Sequence, residues 1–380
     1  VISGKPSLLE WSVNHSQPAD VGALFAQHAH EFAYYGSGKA AFRDGLRTLQ
    51  RLEQGRRDGS VLLPAYIPDA VLEPVTDCGL EPRLYELTDS LAPNMAALES
   101  RIDDSTLAVV SVNYFGFSQP AFDAIDQLAS RNGCYHLEDN AHGALSVVDG
   151  RLLGTRTGVG FSSLWKLLPA PDGAVLLCND EAVASAYEPS SITGVHDRVR
   201  TQDLQFALKS LASDLLDTSH RLKSSVHSLV TTGDAGTSTA SPAQRYRAGK
   251  DRMSRLSAYV VADADPAAIR HRRRENYRAW RSVFEGHDAV TPLFDELPHG
   301  VCPQVFPVRT SVPGQLERVL ADCGVDGAHT WPRLSSTVRQ DDTYATATKL
   351  AAEVVVLPVH QQTDPETITS AGLEVVSRLP

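Results

Sequence analysis

Three short stretches of the chain bring together residue types suited to gripping a phosphate, placing a carboxylate in a ligand site and offering an amine to a carbonyl. The first is Tyr35-Gly36-Ser37-Gly38-Lys39, a glycine-bearing turn running into a helix predicted to bury Phe42, Leu46 and Leu49. Amides at a helix start attract anions, and glycines allow a ligand to come close. The same pattern also describes a plain helix cap, so alone it does not choose between the two. The second is Glu138-Asp139-Asn140-Ala141-His142, just past a predicted strand, Cys134 to Leu137. Ligands of doubly wound sheets gather beyond the carboxyl ends of strands, which suits Asp139 to function, whereas general preference makes such an aspartate a helix N-cap. The third is Gly160 to Lys166. A lysine set among Phe161, Leu164, Trp165, Leu167 and Leu168 is expected to be partly desolvated, which lowers its pKa and frees its amine as a nucleophile. The ordinary alternative is a lysine that snorkels to water.

The elements that must position these residues read as an α/β layer structure. Between about Tyr34 and Cys178 short apolar runs alternate with amphipathic stretches, with strands expected at Val61 to Leu63, Leu107 to Val112, Cys134 to Leu137 and Ala174 to Cys178. Phe122, Ile125, Leu128 and Ala129 recur at helical spacing, and Asn132-Gly133 closes that helix before the next strand. A strand, helix, strand crossover of this kind implies parallel strands. Leucines at 204, 208, 211, 215, 222 and 229 predict one or two amphipathic helices over 202–229, and Thr231 to Ser241 a mobile loop. An arginine-rich helix, Pro266 to Phe284, leads to strands at Gln304 to Val308 and Val354 to Leu357 in what reads as a second domain.

With 380 residues, two domains are the default expectation. The net charge of -11 arises from 46 acidic against 35 basic residues, which argues against a nucleic-acid partner. Five cysteines without a C-x-x-C pair indicate neither a zinc site nor a complete disulfide framework, and no metal is expected. No run approaches the ~20 apolar residues of a membrane span, and Val1 to Glu10 lacks the order of a signal peptide. The expectation is a cytoplasmic protein.

Taken in order, these stretches resemble the DegT/DnrJ/StrS family of pyridoxal-phosphate sugar aminotransferases, of fold type I. The resemblance rests on Ser37-Gly38-Lys39-Ala40-Ala41, Pro64-Ala65-Tyr66, Glu138 to His142, Phe161 to Lys166 and Leu357-Pro358-Val359-His360, supported by Arg252-Met253-Ser254 and Trp331-Pro332. It runs from about residue 30 to 375. It implies a mostly parallel sheet of the seven-stranded type with helices on both faces and a smaller C-terminal α+β domain. The large cofactor domain would span 1–260, with a helical insert at about 196–248, and the small domain 261–380. It also implies pyridoxal 5′-phosphate as cofactor and transfer of an amino group from an amino acid, glutamate in most relatives, to a nucleotide-linked keto-sugar or similar carbonyl compound.

Residue by residue, the resemblance makes Lys166 the amine that bonds to the cofactor and then moves the proton. Asp139 pairs with the pyridine nitrogen, His142 contacts the ring hydroxyl and Ala141 lies flat beneath the ring. Ser37, Gly38 and Lys39 hold the phosphate, together with either Ser162 or Ser163. The aromatic that stacks on the ring falls on Pro68 by gap-free matching, so Tyr66 takes that role. Asn113, His329 and Trp331 are candidates for the substrate pocket. A homodimer with active sites at the interface is expected from the match around Arg252.

This chain also departs from the pattern. Lys39 stands where relatives have a threonine, and Lys250-Asp251 precedes Arg252 where relatives place an asparagine that reaches the partner's phosphate. Asp251 would repel that anion. Sugar dehydratases of the same fold replace the lysine by histidine, so Lys166 counts against that activity. A lyase or transferase acting on an amino acid, or a non-catalytic relative, are the other readings.

Overall fold

The computed structural model describes residues 2–8, 21–53, 59–217 and 240–379, with backbone only along 211–217. Nine short strands fall in the first half of the chain. They are β1 (Glu31–Tyr35), β2 (Ser60–Pro64), β3 (Glu81–Tyr85), β4 (Thr106–Val112), β5 (Tyr135–Asp139), β6 (Val147–Val148), β7 (Arg151–Leu152), β8 (Val159–Ser163) and β9 (Ala174–Cys178). Four more follow as β10 (Val290–Pro292), β11 (Val305–Thr310), β12 (His329–Thr330) and β13 (Val354–Pro358). The larger sheet has seven strands in the order β1-β9-β8-β5-β4-β2-β3. Pairings from β3 through β8 are parallel, and β9 pairs antiparallel with both β8 and β1. β6 and β7 form a small hairpin apart from it.

The parallel strands are apolar on both faces because helices cover both. β2, β4, β8 and β9 are buried along their whole length, and the helix Phe122–Arg131 makes the expected crossover from β4 to β5. The helix Gly38–Leu52 buries Phe42, Leu46 and Leu49, and Phe42 stacks on Phe161 of β8 with ring centroids 5.1 Å apart. Burial of one such phenylalanine is worth about 1.5–3 kcal/mol, enough to hold the helix start against the strand end. Register places Val112, Asp139 and Phe161 side by side, so β4, β5 and β8 release their following loops at one edge.

The C-terminal sheet is antiparallel, in the order β10-β11-β13-β12. The arginine-rich helix, Pro266–Val283, packs against the last helix, Pro365–Arg378, and its Trp280 donates to the Pro358 carbonyl at 2.9 Å. This is the fold class expected from the sequence, a large mixed sheet between helices plus a smaller α+β unit.

One expectation is corrected. The helix Thr201–Asp217 forms, but Leu204 and Leu208 point to solvent, and the buried residue is Asp203, tied to Arg200. Leu222, Leu229 and nearly all of the loop expected at 231–241 lie outside the described residues.

Candidate active site

Ser37 starts the helix Gly38–Leu52. Its Oγ accepts from the Ala40 amide at 3.3 Å and donates to the Gly249 carbonyl at 2.7 Å, while the Gly36 amide donates to the Asp251 carbonyl at 2.7 Å. The chain at 249–251 therefore backs the turn. Gly38 is required here, since a Cβ would lie 2.5 Å from Ser163 Oγ. That contact brings the Ser163 hydroxyl against the helix start. Ser162 belongs to the opposite face of β8, where its Oγ accepts from Asn140 at 2.9 Å. Of the two serines, Ser163 is thus beside the helix amides and Ser162 is not.

Lys250, which could stand in for the asparagine of relatives, and Asp251, expected to repel the phosphate, are both paired within the chain. Lys250 pairs with Asp77 at 2.5 Å, and Asp251 with Arg200 and His196. Lys39, at the second position of the helix, carries a positive charge whose field reaches Lys166.

Asp139 ends β5 and is buried. No helix follows it, so it is not the N-cap that local preference favours, and its Oδ1 accepts the Ala141 amide at 2.9 Å. Burial raises its pKa to about 6, opposed by that amide and by the positive charge of Lys166. At neutral pH it remains a carboxylate. His142, three residues on, is also buried, and its Nδ1 accepts the Phe115 amide at 3.1 Å. Burial, helped by Lys166, holds this imidazole well below its usual range, so it is neutral with its proton on Nε2 and acts there as a donor.

Beneath Asp139 lies a dense polar layer. Glu138, fully buried, accepts from Arg156 Nε at 2.9 Å, from the Arg156 amide at 3.1 Å and from Asn113 at 2.8 Å. Arg156 also donates to Ser118 and Asn113, and its guanidinium lies 3.7 Å over the Phe122 ring. Asn140 joins Asn113, Ser162 and the Leu153 carbonyl. Such a satisfied network fixes the loop from Asp139 to His142. It also corrects the expectation for Asn113. Its amide serves Glu138, Asn140, Gln119 and Arg156 inside this layer and does not line the cavity beside Lys166.

Lys166 sits in the turn after β8, half-buried, with its pKa lowered to about 8 by desolvation, against the pull of Asp139 and with the push of Lys39. The charge of Lys166 thus acts on Asp139 and His142, and those of Asp139 and Lys39 act on Lys166. Arg273, from the arginine-rich helix, donates to the Leu167 carbonyl at 3.1 Å, to the carbonyls of Pro303 and Gln304, and to Gln361, which itself donates to Leu167 O at 3.0 Å. Neither Arg156 nor Arg273 was singled out from the sequence; their signal is an arginine that the fold buries, which only tertiary contacts reveal.

Tyr66 is fully buried, donates to the Trp331 carbonyl at 2.7 Å and meets the Trp331 ring edge-on at 5.1 Å. Trp331 lies in turn against His142 and Phe115. A cavity of about 290 Å³ opens beside Lys166, with His329 and Trp331 in its wall. Asp139, Ser163 and the helix start are not part of that wall. A larger apolar hollow of about 450 Å³, around Phe32, Met253 and Val261, contains no titratable side chain except Tyr34 and has no bearing on this chemistry.

The donor set suits a ligand with an anion at one end, a protonated ring nitrogen at another and a carbonyl carbon between them. The buried Asp139 carboxylate calls for a cationic donor, the helix start and Ser163 for an anion, and the depressed Lys166 amine for an electrophile.

Residues 23–376 match the model of the DegT/DnrJ/EryC1/StrS aminotransferase family. Among solved structures the chain is similar to the sugar aminotransferase CalS13 from Micromonospora echinospora, at 16% identity and a TM-score of 0.66, covering 100% of this chain and 93% of that one. It is equally similar to Helicobacter pylori PseC, an aminotransferase involved in pseudoaminic acid biosynthesis, with 16% identity, a TM-score of 0.66 and coverage of 97% and 94%. A GDP-4-keto-6-deoxymannose-3-dehydratase, ColD, solved as a mutant with bound GDP-perosamine, matches at 14% identity and 0.66, covering 99% and 100%. At these identities the likeness is one of fold.

Proposed function

Since the chain belongs to the DegT/DnrJ/EryC1/StrS aminotransferase family, whose members work with pyridoxal 5′-phosphate, we propose that Lys166 and Asp139 are its catalytic pair and that its acceptor is a nucleotide-linked keto-sugar or similar carbonyl compound. The single observation that carries the site assignment is that Lys166, just beyond the end of β8, and the buried Asp139, at the end of neighbouring β5, lie near enough for each charge to bear on the other. When bound, the cofactor supplies an aldehyde for covalent attachment and a ring that withdraws electrons from the substrate carbon.

The chain's own residues do the rest. Lys166 would hold the cofactor, and its neutral amine would carry the proton at the substrate carbon. Asp139 keeps the ring nitrogen protonated. His142, with Nε2 free to donate, and Ala141 would hold the ring. The phosphate goes to the first amides of the helix after Ser37, with Gly38, Lys39 and Ser163. Tyr66 supports Trp331, which with His329 walls the acceptor's side.

The sugar acceptor is supported by the named activities of CalS13 and PseC, and Lys166 favours amino transfer over the dehydration named for ColD. Assembly as a homodimer is supported by the apolar surface that one chain leaves open, which includes Val199, Leu204, Leu208 and Tyr259. Free thiols at all five cysteines support the cytoplasm as its compartment, and no described helix is long and apolar enough to cross a membrane. We further assign 1–260 and 261–380 to two domains, a division that limited proteolysis tests.

An absorbance scan tests the core of the reading. The expected result is a cofactor band near the visible edge that is lost in Lys166→Ala and bleached by glutamate. A band indifferent to every amino donor would refute amino transfer, and one unchanged in Lys166→Ala would refute the assignment of the lysine.

A further inference from the structure

The cavity beside Lys166 is completed by a segment that the catalytic assignment leaves unused, residues 3–7. Gly4, Lys5 and Pro6 stand in its wall opposite Trp165, Lys166 and Arg273. The segment is pinned at three points. Ile2 bridges to Val325, its amide donating to the Gly324 carbonyl at 2.7 Å and its carbonyl accepting from Asp326 at 2.8 Å. His360 Nε2 donates to the Ser3 carbonyl at 2.7 Å, and the Gln362 side-chain amide donates to the Ser7 carbonyl at 2.6 Å. Between these points the backbone of Gly4 crosses that of Gly327, which has φ +82°. A Cβ on Gly4 would lie 2.8 Å from Gly327 Cα, and one on Gly327 would lie 2.5 Å from Gly4 Cα. Only two glycines permit that crossing.

The pinned segment sets Lys5 at the rim, with its amine 5.7 Å from the centroid of the Trp165 ring. Three cationic side chains, Lys5, Lys166 and Arg273, and two histidines, His329 and His360, then line the cavity, and no aspartate or glutamate does among the described residues. That is the reverse of the chain's overall balance of -11. A cavity lined by one sign of charge concentrates ligands of the other. Two buried acceptors on its wall residues, His360 Nδ1 and Gln304 Oε1, also lack a donor among the described residues. Unpaired buried acceptors are rare in folded chains and point to a ligand that brings hydrogens.

We propose that residues 3–7 form one wall of the substrate site and that Lys5 receives an anionic group of a hydroxyl- or amine-bearing substrate there. The proposal rests on Lys166 being the reacting amine only for the direction from which the substrate approaches. The anionic group is a phosphoester of the acceptor or a carboxylate of the amino donor, two sources with the same chemistry.

Calorimetric titration of the cofactor-loaded protein with inorganic pyrophosphate, and separately with 2-oxoglutarate, distinguishes them. Lys5→Ala and Lys5→Glu should weaken binding by about threefold to tenfold at low salt, less at about 0.2 M salt, and Lys5→Arg should retain it. A loss confined to pyrophosphate identifies the phosphoester, and one confined to 2-oxoglutarate the carboxylate. If neither ligand binds at millimolar concentration, or if Lys5→Glu moves neither affinity, the proposal is overturned. Should the protein take up no cofactor, the same titration on the cofactor-free chain still reads Lys5, so failure of the aminotransferase reading and failure of this one are separate results.

Discussion

The pH dependence of cofactor capture is the sharpest consequence of the site. With its pKa brought down to about 8, roughly one Lys166 amine in ten is neutral at pH 7, against about one in 3,000 for an ordinary lysine near 10.5. Only the neutral amine attacks a carbonyl, so the site gains about 300-fold in reactive amine. When cofactor-free protein is mixed with pyridoxal 5′-phosphate and followed by stopped-flow absorbance, the rate should climb about tenfold from pH 7 to 9 and then level off. Two variants fix the cause. Asp139 is ionised over this range and favours the ammonium form, so Asp139→Asn should move the midpoint down; Lys39 disfavours it, so Lys39→Met should move the midpoint up. A rate that rises evenly through pH 9.5 without a plateau, or variants that shift the opposite way, would show that burial of Lys166 does not set its reactivity.

Three further outcomes are expected. Asp139→Asn should lower the single-turnover rate with glutamate by about 10- to 100-fold, the worth of one charge-assisted hydrogen bond, and a rate within twofold of the parent would remove Asp139 from the mechanism. In Gly38→Ala the new methyl displaces the Ser163 hydroxyl, so cofactor release measured by dialysis should quicken about tenfold, one lost hydrogen bond to a charged group, with little change in melting temperature; the same substitution leaving release unchanged would take Ser163 out of the phosphate site. Arg156→Met leaves the fully buried Glu138 without its partner and should cost about 3–5 kcal/mol in urea unfolding, with Glu138→Gln added to it recovering part of the loss. A cost below about 1 kcal/mol would mean that water reaches Glu138.

What the sequence reveals here is local, and what it conceals is mostly contact between distant residues. Strands β2, β4, β5 and β9 stand out as short apolar runs between breakers, and the crossover helix as a 3.6-residue repeat closed by Asn132-Gly133. Those features place Asp139 at a strand end without any knowledge of packing, whereas β8, the strand that carries the chain to Lys166, is not among them. Ser162 and Ser163 are equivalent in the sequence, because alternation along a strand says only that they face opposite ways. The Gly38 contact and the Asn140 hydrogen bond decide which way each faces. Asn113 misled because an asparagine after a strand suits a binding loop as well as it suits the buried layer under Glu138. The helix Thr201–Asp217 shows apolar periodicity, but periodicity cannot say whether the stripe meets the chain's own core or an outer surface. Arg273 bonds to a carbonyl 106 residues away and Ser3 to a histidine 357 away, separations at which no local pattern operates.

The clamp on the Leu167 carbonyl ties mechanics to chemistry. Arg273 and Gln361 both grip it, one from the arginine-rich helix and the other from the segment after β13, while Arg273 also grips the approach to β11. The reactive amine is thereby coupled to the C-terminal sheet as firmly as to the strand that carries it. Any breathing of the two sheets relative to each other must either drag residue 166 along or break several buried hydrogen bonds at once. A hinge that admits substrate while sparing the amine has to lie away from that grip.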